Sequence, residues 1–186
     1  MLPISSNGIP YLPDGSLHLL DPSRKPRPLW LSASIFVLVF IVLQWAWREA
    51  RDTGLEQLVI HEVTVKPAAT LVRIISPDIP AVAAGASIKA PGGGLNILNG
   101  CEGTEVMFLL AAAFAAVRLR LKEKAIGLAL GLVLVYLLNQ ARILALFYSY
   151  RADRGLFDML HTLILPALLI AFATLYVHVF LRRGAA

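Results

Sequence analysis

Residues 29–47 read LWLSASIFVLVFIVLQWAW, a run of 19 residues without a charged side chain. As an α-helix this run would reach roughly 28 Å, about the thickness of the hydrocarbon core of a bilayer. Trp30, Trp45 and Trp47 lie at its two ends, where amphipathic rings prefer the membrane interface. The run is too long for a secretory signal, and no small-residue cleavage pattern follows it. We therefore interpret it as an uncleaved signal-anchor helix.

The whole chain shares this apolar character. Of its 186 residues, 58% are hydrophobic and 16% are charged, and its mean hydropathy is +0.70. Soluble domains are about 45–50% apolar and about 25% charged, so the composition excludes an ordinary soluble domain and predicts an all-α integral membrane protein. Cys101 is the only cysteine, which excludes a disulfide or a cysteine-rich metal centre within one chain. We expect neither a metal ion nor an organic cofactor.

We predict four membrane spans, at about residues 29–47, 104–119, 125–148 and 160–181. The third apolar segment continues to about Tyr150, and a helix of that length would extend to roughly 39 Å. It must therefore tilt, emerge from the lipid at its outer end, or break near Asn139. Pro166 predicts a bend in the fourth span. Residues 1–28 contain six prolines and are predicted to form a mobile tail, and residues 29–186 a single membrane domain.

The basic residues predict the orientation of the spans. With a cytoplasmic N-terminus, the inner side carries nine basic residues against three acidic ones, and the outer side seven against nine. The inner basic residues are Arg24, Lys25, Arg27, Arg118, Arg120, Lys122, Lys124, Arg182 and Arg183. This bias agrees with the positive-inside rule and predicts both termini in the cytoplasm, in the cytoplasmic (inner) membrane. Because membrane flanks account for the basic residues, we expect no nucleic-acid partner.

The segment at residues 48–103 is then the external part of the chain. Within it, residues 65–75 predict a short amphipathic helix that starts at Pro67 and is suited to lie on the outer leaflet. Residues 86–90 and 95–99 predict two short strands joined by a turn, Pro91-Gly92-Gly93-Gly94, whose glycines can take positive φ. This β-ribbon leads the chain towards Cys101.

Three residues that are far apart in the sequence are predicted to share one membrane depth. Cys101 precedes the second span at its outer end, Arg142 lies near the outer end of the third, and His161 opens the fourth. A thiolate is a good nucleophile, an arginine can stabilise an oxyanion, and a histidine can protonate a leaving amine. This set of residues predicts acyl transfer through a thioester.

Each of these residues also has a purely structural explanation. A single cysteine often packs as a small apolar residue, an arginine near a helix end reaches the headgroups, and a histidine is common at the interface. Glu102 and Glu105 flank the cysteine, where they could position Arg142 or bind a basic substrate. We interpret His61 and His178 as structural.

Several motifs, in this order, resemble the exosortase/archaeosortase family over roughly residues 65–181, as in one of its short, reduced members. They are Pro67-Ala68-Ala69 before the glycine-rich ribbon, Asn99-Gly100-Cys101-Glu102-Gly103, Asn139-Gln140-Ala141-Arg142, and His161. Two departures are Glu102, where the family usually has a small or hydroxylated residue, and Pro166, near which a glycine is expected. They leave the subtype and the substrate motif open.

The resemblance implies a multi-pass cysteine transpeptidase or protease, surrounded by membrane lipid, that cleaves exported proteins at a C-terminal sorting signal. Such a signal consists of a short motif, a hydrophobic helix and a basic cluster. By this resemblance Cys101 is the nucleophile, Arg142 the transition-state residue and His161 the acid/base partner, while Asn139 orients Arg142 or the substrate. The acceptor, whether an amine, a hydroxyl or water, stays open.

Two other functions remain as alternatives. In the first, the protein is a non-enzymatic membrane accessory subunit, with Cys101 in packing and Arg142 paired with an acid for assembly. In the second, it is a small permease with Arg142 in its path, and four spans would then need to oligomerise.

Overall fold

The computed structural model describes residues 28–97 and 102–183. The predicted tail, except Pro28, and the predicted nucleophile Cys101 lie outside the described residues. Helix α1, Leu29–Glu49, matches the run of uncharged residues that predicted it. It begins directly after Pro28, whose fixed φ suits the start of a helix, and it ends as charged residues begin.

The helical membrane fold is confirmed in the described part of the chain. Three helical stretches are long and apolar enough to cross a membrane: Leu29–Glu49, Leu121–Ala152 and Arg154–Arg183. The predicted span at 104–119 is a shorter apolar helix, α4 at Thr104–Ala116, because the backbone turns extended at Val117. Helix α1 packs along α4, which also contacts the two later long helices.

The sequence left open whether the third span tilts, emerges from the lipid or breaks near Asn139, and the break does not occur. Helix α5 runs without interruption over Leu121–Ala152, so its 32 residues extend to about 48 Å, well beyond the hydrocarbon thickness. Protein covers the C-terminal part of α5, since Ile143, Leu146 and Phe147 are at most 1% exposed. Much of the excess length of the helix, up to Ser149, therefore packs against protein, whereas Arg151 and Ala152 at its end are exposed.

Two apolar cores lie along α5. One, towards its C-terminal end, joins α5 to the segment between α1 and α4 and includes Val65, Val72, Ile88 and Ile97. The other joins α4, α5 and the last helix through side chains such as Phe114. Both cores contain residues of α5. This helix therefore connects the segment that is predicted to be external with the membrane bundle.

Two glycines allow close packing in the second core. A Cβ at Gly127 would lie 2.5 Å from Phe180 Cζ and 2.6 Å from Phe114 Cε1, and one at Gly131 would lie 2.7 Å from Tyr176 Cε1. The Tyr176 hydroxyl donates to the Gly127 carbonyl at 2.6 Å. Aromatic rings of the neighbouring helices therefore pack directly on the α5 backbone.

The segment between α1 and the sheet is helical from residue 54 to residue 75. It comprises α2 at Gly54–Gln57, a π-helix at Leu58–Val65 and α3 at Lys66–Ile75. The predicted amphipathic helix is thus present, with Pro67 in its first turn. Its face of Ala68, Ala69 and Val72 is at most 2% exposed and packs in the first core, so that face contacts protein rather than the outer leaflet.

A three-stranded antiparallel sheet follows, in the order β1-β2-β3. Its strands are β1 at Val82–Ala84, β2 at Ser87–Lys89 and β3 at Leu95–Asn96. The predicted ribbon is β2 paired with β3, with Ile88 opposite Leu95 across the glycine-rich turn. The additional strand β1 pairs with β2 through a tight turn at Gly85, whose φ is +59°.

The last membrane helix begins earlier than predicted. Helix α6 at Arg154–Met159, a π-helix at Leu160–Ile164 and α7 at Leu165–Arg183 follow one another without a break. The Asp153 carboxylate caps α6 by accepting from the Gly155 backbone N–H at 2.7 Å. The π-helical turn directly precedes Pro166, whose missing N–H disturbs the regular pattern of hydrogen bonds.

Candidate active site

The described part of the site starts at Glu102, the residue after Cys101, and continues into the N-terminal end of α4. Gly103, with φ +77°, is the N-cap of α4, and Glu102 before it is only 5% exposed. The Thr104 hydroxyl donates to Glu102 Oε1 at 3.3 Å. Glycine adopts this left-handed conformation without steric cost, and it turns the chain directly before the helix.

Asn139 of α5 lies against this turn. A Cβ at Gly103 would lie 2.8 Å from Asn139 Cγ and 3.0 Å from its Oδ1, so a glycine is required for the close approach. Asn139 is 1% exposed, and no described residue donates a hydrogen bond to its Oδ1. The structure therefore brings the start of the Asn-x-x-Arg motif into contact with the residue two positions after Cys101.

Arg142 lies less than one turn further along α5 and is 7% exposed. Gln140, between Asn139 and Arg142, is 5% exposed and donates through Nε2 to the carbonyls of Val63 and Thr64 at 3.5 and 3.4 Å. This turn of α5 is thus packed on one side against Gly103 and on another against the π-helix at Leu58–Val65. The guanidinium projects from a backbone that has little freedom to move.

The ring of His161 has a defined orientation. It stacks on Phe157, with the ring centroids 5.4 Å apart and the planes 5° from parallel. Phe157 in turn meets Tyr150 edge to face at 5.3 Å. His161 lies in the π-helix at Leu160–Ile164, and π-helical turns are frequent at functional sites.

The described residues bring parts of the predicted set into one region. Asn139 contacts the Gly103 turn, and Arg142 follows it on the same helix. Ile143, which follows Arg142, and Leu160, which precedes His161, pack in the same apolar cluster. The two flanking glutamates differ: Glu102 is buried, whereas Glu105 is exposed in the first turn of α4.

Sequence reasoning missed several residues that position this site. Gln140 and Tyr136, one turn apart, both donate to Val63 O, with Tyr136 Oη at 3.1 Å. Two polar side chains spaced four apart in an apolar span were a signal for such a contact. Phe157 was also missed. Its position four residues before His161 was the signal, because residues spaced four apart lie on the same face of a helix.

Arg151, in the last turn of α5, holds the glycine-rich turn. Its Nη1 donates to the carbonyls of Pro91 at 2.8 Å and Gly93 at 3.1 Å. A Cβ at Gly93 would lie 3.4 Å from the ring of Tyr150. The ribbon that leads towards Cys101 is therefore tied to the same helix that carries Asn139 and Arg142.

One of three comparisons with known proteins identifies a family. No curated protein and no solved structure matches the chain. A family model described as transmembrane exosortase matches residues 24–177, which include α1 and all the helices that build the site. The resemblance seen in the motifs is thereby confirmed at the level of the family. The chain, a multi-pass membrane protein, belongs to the transmembrane exosortase family.

Proposed function

We propose that this protein is a membrane-embedded cysteine transpeptidase or protease that cleaves the C-terminal sorting signals of exported proteins. The observation that carries the proposal is the contact of Asn139 with Gly103, two residues after Cys101, in a chain that matches the exosortase family. This contact joins two of the motifs from which the proposed chemistry was inferred. Membership of the family supports the reaction class.

The proposed reaction has two steps. The thiolate of Cys101 attacks the scissile carbonyl, and Arg142 stabilises the oxyanion of the tetrahedral intermediate. His161 donates a proton to the amine as the C–N bond breaks, leaving the substrate attached to Cys101 as a thioester. An acceptor amine or hydroxyl, or water, then attacks the thioester carbon and releases the cysteine.

Asn139 and Glu102 have supporting roles in this proposal. Asn139 fixes the Gly103 turn relative to Arg142, and its buried Oδ1 is a hydrogen-bond acceptor beside that turn. Glu102 is buried against Thr104, which makes it a positioning residue, whereas the exposed Glu105 is available to a basic substrate segment.

The substrate enters from the membrane in this proposal. Its hydrophobic tail lies beside the bundle in the cytoplasmic (inner) membrane, with the tail's basic cluster on the cytoplasmic side. The scissile bond then meets the active site at the outer face. The excess of basic residues between α4 and α5 and after α7 supports this orientation, with both termini in the cytoplasm.

The experiment compares intact masses of surface and envelope proteins from cells that express the native chain, Cys101→Ala, or neither. We expect some proteins to lose their hydrophobic C-terminal tail in cells that express the native chain. The same proteins should keep the tail in cells that express Cys101→Ala or neither chain. The position of the cut then reveals the substrate motif.

The comparison requires equal expression of both chains and demonstrated production of the substrate. If native and Cys101→Ala cells then give the same masses, the thiol is not a processing nucleophile. A non-enzymatic accessory subunit would be the function to pursue instead.

A further inference from the structure

A cleft with a few polar groups lies between α2, the π-helix that follows it and the turn at Gly85. It consists of two adjoining cavities of about 430 and 190 Å³, both lined by Gln57, His61 and Gly85. Glu62 lines the larger cavity, and Glu56 and Ile97 line the smaller one. A histidine between two carboxylates in an open cleft is a set of groups that can bind an amine.

The hydrogen bond of His61 determines which ring nitrogen faces the cleft as an acceptor. Its Nδ1 lies 2.8 Å from the Gly85 carbonyl, and a carbonyl can only accept, so Nδ1 carries the hydrogen. In the neutral ring Nε2 therefore holds the lone pair. The side chain is 29% exposed, and Nε2 lies 3.9 Å from Glu62 Oε1, beyond hydrogen-bond distance, so this nitrogen can accept from a ligand. His61 also lies in the π-helix, as His161 lies in the other one.

The two carboxylates are not equivalent. Both oxygens of Glu62 accept from Lys66 Nζ at 2.7 Å, and these hydrogen bonds hold the pKa of the Glu62 carboxyl below its ordinary value. Glu56 accepts at 2.7 Å from the backbone N–H of Asp52, which adds no charge. Glu56 is therefore the carboxylate left to attract a cationic ligand.

Described residues on both sides of residues 98–101 connect this cleft with the Gly103 turn. On one side, Ile97 lines the smaller cavity, and four residues span at most about 14 Å from Ile97 to Cys101. On the other side, the carbonyl of Thr64 meets Gln140, whose neighbour Asn139 lies against Gly103. The π-helix that carries His61 is thus packed on the same turn of α5 that meets the head of α4.

We infer that this cleft binds the acceptor and that His61 is the base for the second half of the reaction, with a primary amine as the acceptor class. The inference rests on the proposed function. The ammonium group binds beside Glu56 and passes one proton to Nε2 of His61. The neutral amine attacks the thioester carbon, the C–N bond forms as the C–S bond breaks, and the remaining proton leaves with the thiol of Cys101.

The test separates the two half-reactions in the purified full-length protein. A substrate found by the mass comparison above is mixed with the native chain or His61→Gln, with glycinamide as the amine probe. His61→Gln keeps an amide that can donate to Gly85 O but has no base. His178→Gln, on the exposed part of α7, is the matched control.

We expect His61→Gln to release the substrate's tail in the first turnover as fast as the native chain does. It should form the glycinamide product about a hundredfold more slowly, as is typical of a lost general base. The adduct on Cys101 should then accumulate and be visible by intact mass. Hydroxylamine, which is neutral without a base, should restore turnover, and the control should behave as the native chain does.

The inference is overturned if His61→Gln slows tail release and product formation equally, or changes neither. Failure of the proposed function itself looks different, because the native chain would then release no tail. If His61→Gln does not fold, Glu56→Gln provides the second test. It should raise the glycinamide concentration needed for half-maximal rate several-fold and leave the hydroxylamine reaction unchanged, and an unchanged glycinamide dependence would refute the amine site.

Discussion

Gly103 is the residue at which backbone conformation and site geometry depend on each other most directly. Its φ of +77° is costly for a residue with a Cβ, and that Cβ would meet Asn139 at 2.8 Å. Both effects act on the same turn, next to the predicted nucleophile. Because this turn contacts the motif that carries Arg142 and lies two residues after Cys101 in the sequence, a small change here should affect activity as well as stability.

We predict that Gly103→Ala destabilises the protein by about 2–4 kcal/mol, from left-handed strain and from overpacking, and abolishes processing. Thermal unfolding in detergent together with the mass assay for tail removal measures both effects. Gly54→Ala is the matched control, since a Cβ there meets nothing within 4 Å and no positive φ is involved. Equal stability of the two variants would contradict the packing of Asn139 on the turn.

A second prediction at this scale concerns Phe157, which stacks on His161. Loss of the flat ring frees the imidazole to rotate, and misorientation of a catalytic group can lower the rate roughly tenfold to a hundredfold. Phe157→Leu should therefore lower the rate constant at saturating substrate more than it changes KM. Phe157→Tyr, which keeps the ring, should restore the rate.

Phe172→Leu, at an exposed position on α7, serves as the control and should keep native activity. Equal activity of Phe157→Leu and Phe172→Leu would show that the stack has no role in orienting His161.

At the scale of the element, α5 is the axis on which both cores are built. Where aromatic rings of neighbouring helices contact the α5 backbone, only glycine leaves enough room for them. Gly127→Ala raises helix propensity by about 1 kcal/mol, yet its Cβ would lie 2.5 Å from Phe180 Cζ. We predict a net loss of up to about 2 kcal/mol, because overpacking costs about 1–3 kcal/mol and the gain in helix propensity offsets about 1 kcal/mol of it.

The double variant Gly127→Ala with Phe180→Leu tests the cause of that loss by thermal unfolding. Removing the ring should relieve part of the clash, so the two substitutions together should cost less than the sum of their separate effects. Strict additivity would mean that the loss has another origin.

The sequence predicted the long elements of this fold better than the local ones. Spans follow from charge-free runs, and the β2–β3 ribbon from three successive glycines between short apolar runs. Strand β1 was missed because Val82-Ala83-Ala84 is short and has no polar alternation. The π-helices were missed because a shift in the hydrogen-bond pattern has no simple residue signature.

For the candidate site, the sequence predicted that Cys101, Arg142 and His161 lie at one membrane depth. It did not predict which side chains are in contact. Equal distance along separate helices does not say which faces meet. The approach of Asn139 to Gly103 depends on how α4 and α5 pack, which only the structure describes. The same holds for His61, which we interpret as structural from the sequence and whose place in a cleft with Gly85 is known only from the structure.

At the scale of the whole molecule, the proposed orientation can be tested by labelling. In a Cys101→Ser background, Lys89→Cys and Lys122→Cys each place one thiol at an exposed position, on β2 and at the start of α5. We predict that an impermeant maleimide labels Lys89→Cys in intact spheroplasts and labels Lys122→Cys only after the membrane is opened. The reverse labelling pattern would show that the spans have the opposite orientation to the proposed one.

The unequal lengths of neighbouring helices have a consequence for the lipid itself. Helix α4, with 13 residues, measures about 20 Å, whereas the hydrocarbon layer is about 30 Å thick. A bilayer in contact with such a short helix has to thin or let water reach down to its ends, so the head of α4 would lie in a local depression of the membrane. Bond cleavage would then take place below the average lipid surface.

Processing in reconstituted vesicles should accordingly depend on acyl-chain length and fall as the chains lengthen from 14 to 22 carbons. A processing rate that does not depend on acyl-chain length would indicate that protein surrounds α4 completely and that the membrane has no such depression. In a cell, the depth of that depression would decide which tails present their cleavage motif to the thiol. The thickness of the surrounding bilayer would thereby become part of the specificity of the enzyme.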